Sequence, residues 1–81
     1  MQINEERLDE VVLALLWLNR FPDGPATRAW KSFDWDTMDR LFEKGYINDP
    51  KRKAKSVMLF EEGLDLGEVL FERYFGLEEE T

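Results

Sequence analysis

The sequence predicts a mainly α fold with a small β-hairpin, winged-helix-like in the order helix, short helix, helix, hairpin, helix. Three observations carry that expectation. Apolar residues recur at the three-four spacing of a helix in three long segments. A basic turn opened by Asp49-Pro50 separates two short runs suited to paired strands. The chain has 81 residues and no cysteine, so it is read as one domain of residues 1–77 with an acidic, disordered tail at 78–81. So short a chain has little room for a core, and six Phe, three Trp and two Tyr supply bulk in place of length.

The first helix is expected from Glu5 to Asn19. Asn4 can accept a free first-turn N–H, Glu5 and Glu6 suit the positive end of the helix dipole, and Ile3 and Leu8 have the spacing of a hydrophobic staple. Leu8, Val11, Val12, Leu15 and Leu16 form one apolar face, while Leu13 and Trp17 point the other way with Glu6, Glu10 and Arg20, so this helix is buried on more than one side. Phe21-Pro22-Asp23-Gly24-Pro25 reads as a loop, and Pro25 opens a short second helix through Trp30.

Asp34 caps the next helix, with Phe33 and Met38 at staple spacing, an apolar stripe of Trp35, Met38, Leu41 and Phe42, and a stop at Lys44-Gly45. Its outward residues are then Asp36, Thr37, Asp39, Arg40, Glu43 and Lys44. Tyr46-Ile47-Asn48 and Ser56 to Phe60 are the hairpin strands, and Lys51-Arg52-Lys53-Ala54-Lys55 is the basic tip between them. The last helix runs from Glu61 to Phe75 and stops at Gly76.

The stretch Arg28-Ala29-Trp30-Lys31-Ser32-Phe33-Asp34-Trp35-Asp36 through Glu61-Glu62-Gly63-Leu64 resembles a family of short bacterial proteins known as a domain of unknown function. That resemblance covers most of the chain and implies no activity. A second resemblance spans residues 38–64. There Leu41, Gly45, Ile47, Val57, Leu59, Gly63 and Leu64 sit as in the recognition helix, wing and following helix of winged-helix transcriptional regulators. Those proteins commonly place a Thr cap before their Glu-Glu-Gly turn. Phe60 stands at that place here, so the cap is lost.

Net charge is −7 with no histidine, and it is unevenly spread. Residues 1–27 carry −3, residues 28–55 carry +3 and residues 56–81 carry −7. An anion-binding surface therefore belongs in the middle third, where Arg28, Lys31, Lys51, Arg52, Lys53 and Lys55 are the candidate nucleic-acid contacts. Against DNA, the start of the would-be recognition helix carries Asp34 and Asp36, the wrong sign for a phosphate backbone. Trp30 and Trp35 beside Arg28 and Lys31 have the composition of a stacking platform for single strands, but the expectation is that both indoles pack in or beside the core.

Asp34, Asp36 and Asp39 suggest a cation site only superficially, since a cap and dipole partners account for them. Without His or Cys the commonest general base and the best nucleophile are absent, no glycine-rich phosphate loop appears, and the chain is read as non-catalytic with no cofactor or metal. Met1 is followed by Gln2, Ile3 and acidic residues, not by a signal peptide, and Val11 to Leu18 is too short to span a bilayer, so a cytoplasmic location is expected.

The preferred expectation is a protein-interaction module, a homodimer or a partner-binding domain. Its contact surface would be Leu13, Trp17, Leu66, Gly67, Leu70, Phe71 and Tyr74. The same residues equally suit packing of the first and last helices on each other within one monomer. A weak DNA-binding regulator is the alternative.

Overall fold

A computed structural model describes residues 1–78. Its elements in chain order are α1 (Glu5–Leu18), β1 (Phe21–Asp23), β2 (Ala26–Trp30), α2 (Trp35–Glu43), β3 (Ser56–Met58) and α3 (Glu61–Phe75). The strands form one antiparallel sheet in the order β1-β2-β3. The chain is thus mainly helical with a small antiparallel sheet, as expected. Of the expected acidic tail, everything after Glu78 lies outside the described residues.

The long helices form where their caps and apolar spacing put them. The Asn4 side chain accepts from the Arg7 N–H, and Asp34 accepts from the N–H and the hydroxyl of Thr37. Gly45 takes a φ of +83°, the left-handed conformation expected after α2. α3 starts at Phe60 without a side-chain cap, and its chain entry is held instead by the Phe60 N–H donating to the Tyr46 carbonyl at 3.0 Å. Gly63 lies so close to that carbonyl that a Cβ there would collide with it. Phe33 packs against the core, which includes buried Met38, whereas Ile3 stays mostly exposed.

One element differs in kind. Residues 26–30 form a strand, not a short helix, and Phe21 to Trp30 is a hairpin with register Phe21↔Arg28 and Asp23↔Ala26. Gly24, at φ +59°, supplies the positive φ that two-residue hairpin turns need. A five-residue helix closes almost no internal hydrogen bonds. The same residues as the central strand pair on both edges, through Arg28↔Met58, Ala29↔Val57 and Trp30↔Ser56 on the second side. With that strand in place, the expected helix-turn-helix pair is not formed among the described residues. The expected strand at Tyr46-Ile47-Asn48 shrinks to one bridge, Ile47↔Leu59, and the Asn48 side-chain oxygen accepts from the Met58 N–H at 2.8 Å beyond it.

The core joins Val12, Leu13, Ala14 and Leu16 of α1 to Met38 and Leu41 of α2, Ala29 and Val57 of the sheet, Ile47, Leu59 and Leu70 of α3. α1 contacts both other helices, and the backbones of α2 and α3 stay apart. The α1–α3 contact is close because Gly67 faces Trp17. A Cβ at Gly67 would stand 2.8 Å from the Trp17 Cβ and 3.3 Å from the Leu13 carbonyl oxygen. Tyr74 Oη donates to Glu10 at 2.8 Å across the same contact, and that bond raises the Tyr74 pKa.

α2 differs from its expected stripe. Met38 and Leu41 are buried, but Trp35 and Phe42 are exposed, and Thr37 is buried in their stead. Arg40 and Lys44, expected to face outward, turn to Asp9 of α1. Asp9 is only 2% exposed and accepts from Arg40 Nε and from Lys44 Nζ, each at 2.8 Å, with Arg40 Nη2 in ion-pair contact at 2.8 Å. Burial alone would raise the Asp9 carboxyl. The hydrogen bonds from Arg40 and Lys44, with their charges, outweigh burial and hold it below its ordinary value.

That arrangement makes stability pH-dependent in a defined direction. A carboxyl depressed in the folded chain relative to the unfolded one stabilises at pH above its unfolded value of about 3.9, and the contribution is lost as pH falls through the folded value. The urea midpoint should therefore drop below about pH 4. Asp9→Ala should cost about 3 kcal/mol at neutral pH, the lower end for a broken buried pair, because both cations can turn to water. Asp9→Asn should flatten the acid limb, and an unchanged acid limb in that variant would assign the pH dependence to other groups.

Candidate functional site

Two surfaces compete for a functional role. The first is the helical one expected to bind a partner. Leu13, Gly67 and Leu70 are buried within the monomer, and Trp17, Leu66, Phe71 and Tyr74 are half-buried at the α1–α3 contact. Most of that set is thus spent on intramolecular packing. What it leaves outside is an aromatic row, Trp17–Phe71–Phe75, with centroids 5.3 Å apart at each step.

Between α2 and α3, over α1, runs an open cleft of about 430 Å³ lined by Glu6, Asp9, Glu10, Leu13, Lys44, Tyr46 and Leu66 among others. Its one buried carboxyl, Asp9, is ion-paired and held below its ordinary pKa, the opposite of what a general acid at neutral pH needs.

The second surface is the outer side of the sheet and the loop beside it. Along β2 the side chains alternate, so Ala29 is buried and Arg28 and Trp30 face outward with their cross-strand partners Phe21 and Ser56. Phe21 and Trp30 stack at 5.0 Å with a 33° tilt. Trp30 is nevertheless 56% exposed, and Trp35, at the start of α2, is 57% exposed. Both indoles were expected in or beside the core; neither is in it, and each is more than half exposed. Trp30 ends β2 on the sheet's outer face, and Trp35 follows directly after the cap, where the helix has not yet turned toward the core.

The basic residues divide into two groups. Arg28 and Lys31 are structural. Arg28 Nε donates to Ser56 Oγ at 2.7 Å and Nη2 to the Ser56 carbonyl at 2.9 Å, with Asp23 at 3.9 Å. Lys31 Nζ donates to the carbonyls of Pro50 and Arg52, both at 2.6 Å, and lies 5.8 Å from the Trp35 ring centroid. The Lys31 N–H also donates to the Lys55 carbonyl at 3.1 Å. One residue thus ties both ends of the basic loop.

Lys51, Arg52, Lys53 and Lys55 are exposed. The Lys51 N–H donates to Asp49 Oδ1 at 2.9 Å, which closes the turn that Pro50 begins. The loop therefore leaves the body near Lys31 and Trp35 and returns beside Trp30. Four exposed cations thus lie on a loop whose ends are near the two exposed indoles, and among the described residues none of the four is in an ion pair. Phe21 had no reading as a site residue in the sequence. The signal that could have found it is the Phe21–Arg28 pairing across a Gly-Pro turn.

The sequence profile of a family described as a domain of unknown function (DUF6429) matches residues 4–77. An uncharacterized protein of Sinorhizobium fredii, y4hR, is 51% identical over 75 residues, which cover 93% of this chain and 97% of that protein. No solved structure matches.

If Lys31 sets the loop, Lys31→Met should loosen it without unfolding the domain. Trypsin cleavage within residues 51–55 should speed up severalfold, while the unfolding free energy from a urea titration changes by no more than about 1 kcal/mol. Unchanged cleavage would show that Asp49 and Pro50 hold the loop without it.

Proposed function

The chain belongs to the DUF6429 family of domains of unknown function, and we propose that it is a non-catalytic interaction domain that binds nucleic acid through the outer sheet face and the loop of residues 51–55. One observation carries this reading: Lys31 anchors the loop that bears four exposed cations, and two tryptophans near its ends stay exposed, although so small a domain needs its large aromatics for its core. Phosphates are recognised by clustered Lys and Arg, and unpaired or flanking bases by aromatic faces. The overall charge of −7 opposes association, so binding is weak and strongly salt-dependent. Acidic residues dominate α3 and the first turn of α1, but Asp34 and Asp36 also flank Trp35 and add to that repulsion.

Reversal of Lys51, Arg52, Lys53 and Lys55 to Glu should abolish binding of a labelled random-sequence oligonucleotide at low salt, read by anisotropy. For the wild type, the logarithm of affinity should fall with the logarithm of salt at a slope of roughly −3, set by about four phosphates. Binding that survives the reversal would remove the loop from the interface.

A second reading, self-association or a protein partner at the helices, is favoured by the row Trp17–Phe71–Phe75, with Leu18, Phe75 and Leu77 exposed around it. Light scattering at concentrations of about 100 μM should then give twice the chain mass, falling to the monomer in Phe75→Glu/Leu77→Glu. A monomeric wild type would end this reading.

A further inference from the structure

We infer that the ligand is single-stranded nucleic acid, with unpaired bases stacked on Trp30 of the outer sheet face and on Trp35 near the other end of the 51–55 loop, while the phosphates follow the cations of that loop. This rests on the nucleic-acid reading above and narrows it to one strand form.

Three features separate a single strand from a duplex. First, much of the indole surface is exposed. Trp30 and Trp35 are each more than half exposed, and Phe21 supports Trp30 from one side at 5.0 Å. Bases in a duplex are stacked on each other and offer only their edges, whereas an unpaired base can lay its whole face on an indole.

Second, the expected helix-turn-helix is not formed among the described residues. Residues 26–30 are a strand, so β2 rather than a short helix stands directly before α2. α2 would also bring exposed Asp34 and Asp36 first into a major groove, against two lines of phosphate.

Third, the loop follows the aromatics. It leaves beside Trp35, where Lys31 Nζ reaches both the ring and the Pro50 and Arg52 carbonyls, and it returns at Ser56, the cross-strand partner of Trp30. A flexible strand can bend its backbone along such a loop while its bases turn inward to the rings. A stiff duplex cannot.

The test is an anisotropy titration with a labelled oligothymidylate of about 12 nucleotides, which forms no hairpins, and with a duplex of the same length, both at low salt. The wild type should bind the single strand at least tenfold more tightly than the duplex. Trp30→Ala should weaken single-strand binding by roughly tenfold or more, the usual effect of losing one stacked base, and leave any duplex binding unchanged. Trp30→Phe should recover most of the loss. Trp35→Ala should repeat the effect from the other end of the loop, and the far-ultraviolet spectrum and urea midpoint of each variant show that it folds.

Equal or tighter duplex binding, or affinity indifferent to both tryptophans, would overturn the single-strand inference while the loop reading stands. Absence of binding to either probe at low salt would overturn both.

Discussion

The Asp9 carboxylate is the constraint around which the helices are arranged. It sits on the inward side of α1, 2% exposed, and an unpaired charge there would not be tolerated. Arg40 and Lys44 must therefore be brought to it from α2, with Arg40 also reaching Glu5 at 2.7 Å. This fixes the orientation of α2 about its own axis. Thr37 and Arg40 turn inward with Met38 and Leu41, and Trp35 and Phe42 are left outside. A purely apolar stripe would have placed Trp35 in the core. Pairing a buried carboxylate took precedence, since burying the charge unpaired would cost more than exposing an indole.

α1 is also the element on which α3 closes, and there the limiting feature is distance. Gly67 brings the two backbones together at Trp17, and Tyr74 and Glu10 join them at the other end. Because α1 pairs separately with α2 and α3, the backbones of those two stay apart, and the cleft between them exposes part of the surface of α1. The sheet covers the remaining side of the core with Ala29 and Val57, which sends Trp30 and Arg28 to the outside. The aromatic, cation-flanked surface is thus a by-product of the packing in one sense. Its ordering by Lys31 is not, because two carbonyls at 2.6 Å hold a loop that could otherwise be free.

The helices were legible because each is defined by local features. Asn4 and Asp34 accept from N–H groups three residues on, and Gly45 supplies the left-handed turn. The hairpin at Phe21 to Trp30 was not legible. Ala and Arg have no strand preference, the turn reads as a loop, and the strand's stability comes from β3, about 30 positions further along the chain. The basic loop was visible as composition, but the division of its cations into structural and free ones was not. Arg28 and Lys31 look the same in sequence as Lys51 or Lys53, and only their distant partners, Ser56, Pro50 and Arg52, give them a structural role.

The sequence by itself determined the local features of this protein: where α1, α2 and α3 start and stop, that the middle third is the basic one, and that neither His nor Cys is present for chemistry. Those depend on residues a few positions apart, within the reach of helical hydrogen bonds and charge counting. Tertiary structure alone decided which large side chains are inside. It placed Leu13, Gly67 and Leu70 within the monomer, turned Arg40 and Lys44 to Asp9, and left Trp30 and Trp35 at the surface. Burial is settled by competition among distant segments for one small core, and no local pattern records which side chain loses.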